Sequence, residues 1–358
     1  MNAAACRELW GRLRSAGLVA GEVPEHSGSP WFVRVMLGIA GWIGAFFLIG
    51  FIGAAFARVL DSAGTAAVVA TICSGAAYAV FRLAAKNDFA GQFGLATGFA
   101  GQILFGVAIY QHFRFETSLA HFLFAGVETI LTLVMPNFIH RAGTTVVATI
   151  TLSLGCAQAG VHGLALPMAA SGCALVWRNE LRLAARAELW RPVGYGLALG
   201  TLQTAATPLL HGDLLFFFQR GGGGGWLQRY GTTVGTALVA VVFLVVAVQI
   251  LRELEIASAS REGLAMLGCA ALVMGVTFPA HGLAAALLIL ILGFAGGNRV
   301  LFGLGVLAVA SFLGYYYYQM RETLLYKALV LAASGAVLLG ARWGLRRLFP
   351  GREARRHA

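Results

Sequence analysis

Residues 231–251 read GTTVGTALVAVVFLVVAVQIL, a run without a single Asp, Glu, Lys or Arg. At 1.5 Å per residue, about 20 apolar residues in a helix match the hydrocarbon thickness of a bilayer. Outward from this run the same texture recurs through most of the chain. Of 358 residues, 59% are apolar and 11% charged, with a mean hydropathy of +0.78, whereas soluble domains carry about 25% charged residues. Too few polar side chains remain to coat a soluble surface, so the bilayer is expected to be the main solvent. A soluble globule, a disordered chain and a secreted disulfide scaffold are excluded on the same ground. The net charge of +11 is the basic excess that cytoplasmic loops supply, and nucleic acid is not an expected partner.

Twelve candidate spans follow, at 35–56, 63–83, 89–110, 118–135, 143–160, 161–177, 192–210, 231–251, 262–278, 280–296, 298–318 and 322–341. The sequence thus predicts an all-α, polytopic transmembrane helical bundle of about twelve spans. The fifth and sixth spans nearly touch, as do the ninth and tenth, so each pair reads as a tight helical hairpin or as one broken helix. With the N-terminus inside, 20 of the 26 Lys and Arg fall on the cytoplasmic side, and only Arg58, Arg114, Arg220, Arg229, Arg321 and Lys327 fall outside. That asymmetry sets the orientation and places both termini in the cytoplasm. The domain division is a cytoplasmic amphipathic segment at 1–30, a transmembrane domain at 31–345 and a basic tail at 346–358.

No cleavable signal peptide is expected, because the first long apolar run begins only after Trp31 and Arg34. In the N-terminal segment Cys6, Leu9, Trp10 and Leu13 repeat at helical spacing opposite Arg7, Glu8, Arg12 and Arg14. This pattern describes a helix lying on the inner membrane surface or a docking helix. The longest outer loop, roughly 211–230, pairs Phe216, Phe217 and Phe218 with five glycines, Gly221 to Gly225: an interfacial dip followed by a flexible tether.

Short peptides recur in order. GLATG at 94–98 matches GLALG at 196–200, LGCA at 154–157 matches 267–270, and HGLA at 162–165 matches 281–284. Spans three to six then correspond to spans seven to ten as a parallel four-helix repeat, with chance matching in a Gly-, Ala- and Leu-rich chain as the alternative.

Glu128 is the one carboxylate near the middle of a predicted span, where a lipid-facing charge is costly, so it is expected to face the protein interior. It reads as a proton- or cation-coupling group or as a hydrogen-bonded Glu that holds helices together. Gln102, Gln158, Gln203 and Gln249 also sit within spans; bridging amides are their ordinary role, and Gln102 and Gln203 are placed near the pathway if Glu128 couples transport. His112, His121, His162, His211 and His281 gather at outer ends beside Glu116, Asp213 and Glu322. None has a metal-ligand spacing, so no metal site is expected. The pairs Gly94/Gly98, Gly196/Gly200 and Gly231/Gly235 predict close helix approach. No Walker A loop, GxSxG elbow, HExxH or CxxC is present, so neither catalytic residues nor a cofactor are expected.

The stretch PWFVRVMLG at 30–38 running into Gly41-Trp42, the stretch GFAGGNR at 293–299, the four tyrosines Tyr315, Tyr316, Tyr317 and Tyr318, and TLLYK at 323–327 resemble the domain of unknown function 4401 family of uncharacterised bacterial membrane proteins. The likeness runs over roughly residues 30–345, with Ala328 where the family pattern has Ser. It implies a bacterial inner-membrane location and an extracytoplasmic partner, a small protein with a Gly-Asp-Tyr motif, and it implies no activity. Together with the aromatic and charged cluster Tyr315–Tyr318, Arg321, Glu322 and Lys327, it makes a membrane scaffold or sensor subunit the first expectation. Secondary transport of a small solute or ion through Glu128 is the alternative.

Overall fold

The computed structural model describes residues 3–17, 62–84, 87–210, 225–278, 280 and 282–319, with isolated positions 36, 43, 47, 50, 325, 339, 340 and 343. Every regular element among them is helical. α1 spans Ala3–Ser15, α2 Ala63–Leu83, α3 Asp88–Phe113, α4 Ser118–Val134, α5 Phe138–Gln158 and α6 Ala165–Arg178. α7 spans Ala187–Leu210, α8 Trp226–Glu253, α9 Arg261–Thr277, α10 Leu283–Ala295 and α11 Arg299–Gln319. The ten predicted segments from 63–83 to 298–318 coincide with α2 to α11. The first and twelfth predicted spans lie outside the described residues apart from isolated positions, as does most of the 211–230 loop.

Start signals account for several boundaries. The side chains of Ser62, Asn87, Asn137 and Ser260 each accept a hydrogen bond from the backbone N–H three residues on, at 3.0–3.2 Å, opening α2, α3, α5 and α9. The two closely spaced pairs are separate helices. Gly160 and Gly163, with φ of 76° and 79°, turn the chain between α5 and α6, and Gly282, with φ of 93°, precedes α10.

Among the described residues four helices are long and apolar enough to cross a membrane: Ala63–Leu83, Asp88–Phe113, Arg229–Glu253 and Arg299–Tyr318. They mark this as a membrane protein. α4 and α10 are apolar but shorter, at 17 and 13 residues. α5 has the length, at 21 residues, but its mean hydropathy is diluted by His140, Arg141, Thr144, Thr145, Thr149 and Thr151.

Many large apolar side chains point outward, while small and polar ones fill much of the helix contacts. On α2, Val68 and Ile72 are exposed, while Ala66, Ala70, Ser74 and Ala77 are buried. Without a hydrophobic drive between helices, close packing of small residues holds such a bundle together. α2 packs along α3, and α4 along α5, around Ala77, Phe81, Leu95, Leu131 and Met135. A second core joins α6, α7, α8, α9, α10 and α11. α5 against α7 links the two.

The paired glycines make these contacts. A β-carbon at Gly196 would lie 2.6 Å from Thr145 Cβ, and one at Gly200 2.8 Å from Thr149 Cβ, so α7 rides directly on α5. Gly231 and Gly235 of α8 seat the backbone carbonyls of His162 and Gly163. The GFAGGNR stretch is a tight corner: Gly293 abuts the backbone of Phe302, Gly297 has φ of 63°, and Asn298 Oδ1 accepts from Val300 N and Leu301 N at 3.1 Å to open α11. Asn298 also hydrogen-bonds Tyr195 of α7, its Nδ2 donating to the phenol oxygen at 2.9 Å.

Candidate functional site

α4 presents His121, Phe124, Ala125, Glu128, Leu131 and Thr132 to the bundle interior, a stripe at i, i+3, i+4 spacing. α3 runs antiparallel beside it, and their register is fixed at two points. Tyr110 Oη lies 2.7 Å from His121 Nδ1, and Gly106 faces the Phe124 ring, where a β-carbon would meet Cζ at 3.2 Å. One further turn in the same register brings Gln102 and Glu128 to one level. Gln102 and Glu128 are thus both buried, on two helices that pack against each other.

Glu128 is fully buried, and neither carboxylate oxygen has a hydrogen-bond partner among the described residues. Three ion pairs occur among those residues, Glu8 with Arg12, Glu253 with Arg178 and Glu180 with Arg191, and none reaches it. An ionised carboxylate buried without a cation or donor is strongly disfavoured, so the neutral acid is the form that this setting accommodates. Gln102 is 5% exposed and its Nε2 is unpartnered. Gln203 does not join them: it is exposed on α7.

Below Glu128 the polar stripe continues. Thr132 donates to the Thr144 hydroxyl at 2.8 Å, and Thr144 donates to the His140 carbonyl at 2.9 Å. His140 is fully buried, stacked on Phe99 with ring centroids 5.4 Å apart and edge-on to Phe81 at 6.0 Å. Arg141 closes this end: its Nε donates to the Thr132 carbonyl at 3.2 Å and its Nη1 to the Glu188 carbonyl at 2.8 Å. At the opposite end His121, also fully buried, sits among Tyr110, Phe115 and Phe124, with its Nε2 facing the Phe115 backbone outside hydrogen-bonding geometry. A cleft of about 610 Å³ runs from the level of Tyr110 and Gln111 past Gly106 and Phe124 to Gln102.

The sequence did not single out His140, nor the Tyr110–His121 pair. Their signal was faint: Tyr110 and His121 stand 11 residues apart on either side of a turn, a spacing that becomes a contact only once the antiparallel register is set. Among the described residues no group of three His, Cys, Asp or Glu is placed to hold a metal.

The candidate partner surface is divided. Tyr315 is half-buried and donates to the Leu209 carbonyl at 2.6 Å, so it helps fasten α11 to α7. Tyr317 is half-buried, while Tyr316 and Tyr318 are exposed, the latter 83%. Arg321, Glu322 and Lys327 lie outside the described residues.

The family described as domain of unknown function DUF4401 matches residues 30–348, nearly the whole chain. None of the curated proteins, and none of the solved structures, matches the chain.

Proposed function

The chain belongs to the DUF4401 family, and from that premise we propose that it is a secondary transporter of a small solute or ion, with Glu128 as the coupling carboxylate and Gln102 beside it. One observation carries this reading: a wholly buried carboxyl group with both oxygens unpartnered among the described residues, on a helix packed against the one that carries Gln102, whose buried Nε2 is likewise unpartnered there. A Glu retained to hold helices together would spend its oxygens on hydrogen bonds across the interface. Buried protonatable groups in membrane helices instead mark ion and proton paths. In this proposal the protein is a multi-pass component of the bacterial inner membrane with about twelve spans and both termini cytoplasmic, supported by the 20 to 6 division of basic residues. The parallel four-helix repeat belongs to the same proposal; its support is the ordered recurrence of GLATG with GLALG, of LGCA and of HGLA. Uptake into proteoliposomes under an imposed proton gradient, wild type against Glu128→Gln, tests the coupling role. Transport that survives the substitution unchanged refutes it.

A second reading, a scaffold or sensor subunit bound to an extracytoplasmic protein with a Gly-Asp-Tyr motif, draws support from the exposed rings of Tyr316 and Tyr318 at the end of α11. Aromatic side chains beside charges are favoured at recognition surfaces. Pull-down from detergent followed by mass spectrometry, repeated with Tyr316→Ala/Tyr318→Ala, tests it. Loss of one extracytoplasmic protein from the double variant supports the surface, and equal recovery from both samples removes it.

A further inference from the structure

We propose that the coupling ion is the proton and that it reaches Glu128 from the His121 end of the bundle, with the Tyr110–His121 pair as its first protonatable station and the cleft between α3, α4 and α5 as the connection. This inference rests on the reading of Glu128 as a coupling carboxylate and adds the ion, its side of access and two residues.

Three observations converge. First, His121 and Glu128 are both fully buried and lie seven residues apart on the same face of α4, two turns or about 10.5 Å along the axis. Second, among the described residues the His121 ring has a hydrogen-bond partner at Nδ1 and none within hydrogen-bonding geometry at Nε2. Its Nδ1 is 2.7 Å from the Tyr110 hydroxyl, which orients the imidazole and leaves Nε2 to take up and release a proton. Third, a cleft runs along α3 beside this interval, lined by Tyr110, which bonds His121, and by Gln102; His121 and Glu128 themselves lie behind its wall. Tyr110 and Gln111 line its upper end and Gln102 its lower, and its volume is roughly 610 Å³. Gly106 keeps it open beside Phe124, where a side chain would fill the space.

The donor set favours a proton over a metal cation. A sodium or larger ion needs several oxygen ligands around one point, whereas the hydroxyls of Thr132 and Thr144 are already engaged with each other and with backbone carbonyls. The other titratable groups on the helices packed against α4 are Asp88 and His112 on α3, and His140, Arg141 and Cys156 on α5; Arg114 and Glu116 lie in the α3–α4 turn. Arg141 is tied to the Thr132 and Glu188 carbonyls at the far end, away from the proposed entrance. The transfer is a simple exchange. Imidazolium at His121 loses its Nε2 proton and returns to neutral imidazole, and a Glu128 carboxylate gains that proton, with no other bond formed or broken.

The test uses the full-length protein in liposomes loaded with a pH-sensitive dye, with proton influx driven by a potassium diffusion potential. Wild type, Glu128→Gln, His121→Gln and Tyr110→Phe are compared across external pH, with sodium present or replaced by choline. The expected result is influx abolished by Glu128→Gln, slowed at least tenfold by His121→Gln with a change in the shape of its pH profile, slowed severalfold by Tyr110→Phe, and indifferent to sodium. Tyr110→Phe removes only a hydroxyl and guards against a folding artefact. If Glu128→Gln abolishes the influx while His121→Gln matches wild type, or slows it without changing the shape of the profile, the entrance is overturned and the coupling role of Glu128 stands. A requirement for sodium overturns the choice of ion. Influx indifferent to Glu128→Gln, or no influx in wild type, overturns the underlying reading and this inference with it.

Discussion

Gly98 lies so close to His140 that a β-carbon on it would stand 2.6 Å from the imidazole Nε2. The glycine is therefore the floor on which a fully buried ring rests, with Phe99 stacked above the same ring. Gly98→Ala is expected to lower stability by about 1–3 kcal/mol, the ordinary cost of overpacking, read as a fall in the midpoint of thermal unfolding in detergent. His140→Ala in the Gly98→Ala background should recover part of that loss, because the clash is with the ring. Absence of any recovery would show that the contact is not the cause.

The unpartnered oxygens of Glu128 predict an unusual stability effect. An unsatisfied buried polar group costs about 1–3 kcal/mol, so Glu128→Met should leave the protein as stable as wild type or more so, and Glu128→Gln should change stability by less than about 1 kcal/mol. Thermal unfolding of the three proteins in one detergent decides this. A large loss in Glu128→Met would show a structural Glu instead of a functional one.

Asn298 both opens α11 and bonds Tyr195 across to α7. Loss of a capping side chain costs about 0.5–2 kcal/mol and loss of one further buried hydrogen bond about 1 kcal/mol. Asn298→Ala should therefore destabilise by about 1.5–3 kcal/mol and Tyr195→Phe by about 1 kcal/mol. The double variant should be less damaged than the sum of the two, since both remove the same bond; strict additivity in unfolding experiments would contradict the shared contact.

Gly163 has φ of 79° and meets the backbone of Gly231 directly. Gly163→Ala combines a left-handed backbone with an atom placed against a main chain that has no flexible end to move. Protein recovered in folded form by size-exclusion chromatography should fall sharply, whereas Gly126→Ala, at a site with open space around it, should behave like wild type.

The sequence by itself determined the helical class and the positions of ten helices, because an apolar run of bilayer length admits few other solutions and Ser and Asn caps announce several of the starts. It also placed Glu128 in the interior, since the penalty for a charge facing lipid does not depend on knowing the neighbours. The close approach of Gly94/Gly98, Gly196/Gly200 and Gly231/Gly235 was legible as spacing, though not the partner of each. Only the tertiary structure decided which polar groups meet. Gln102 and Gln203 look alike in sequence, yet one is buried on α3 and the other is exposed on α7. His121 reads as an interfacial histidine until the antiparallel register of α3 and α4 brings Tyr110 to its ring. Tyr315 reads as one of four equivalent anchors until its hydroxyl is found on the Leu209 carbonyl, 106 residues away. The physical reason is common to all three: periodicity along one helix fixes which residues share a face, while the rotation and register of neighbouring helices, set by many small packing contacts distributed over the chain, fix what that face meets.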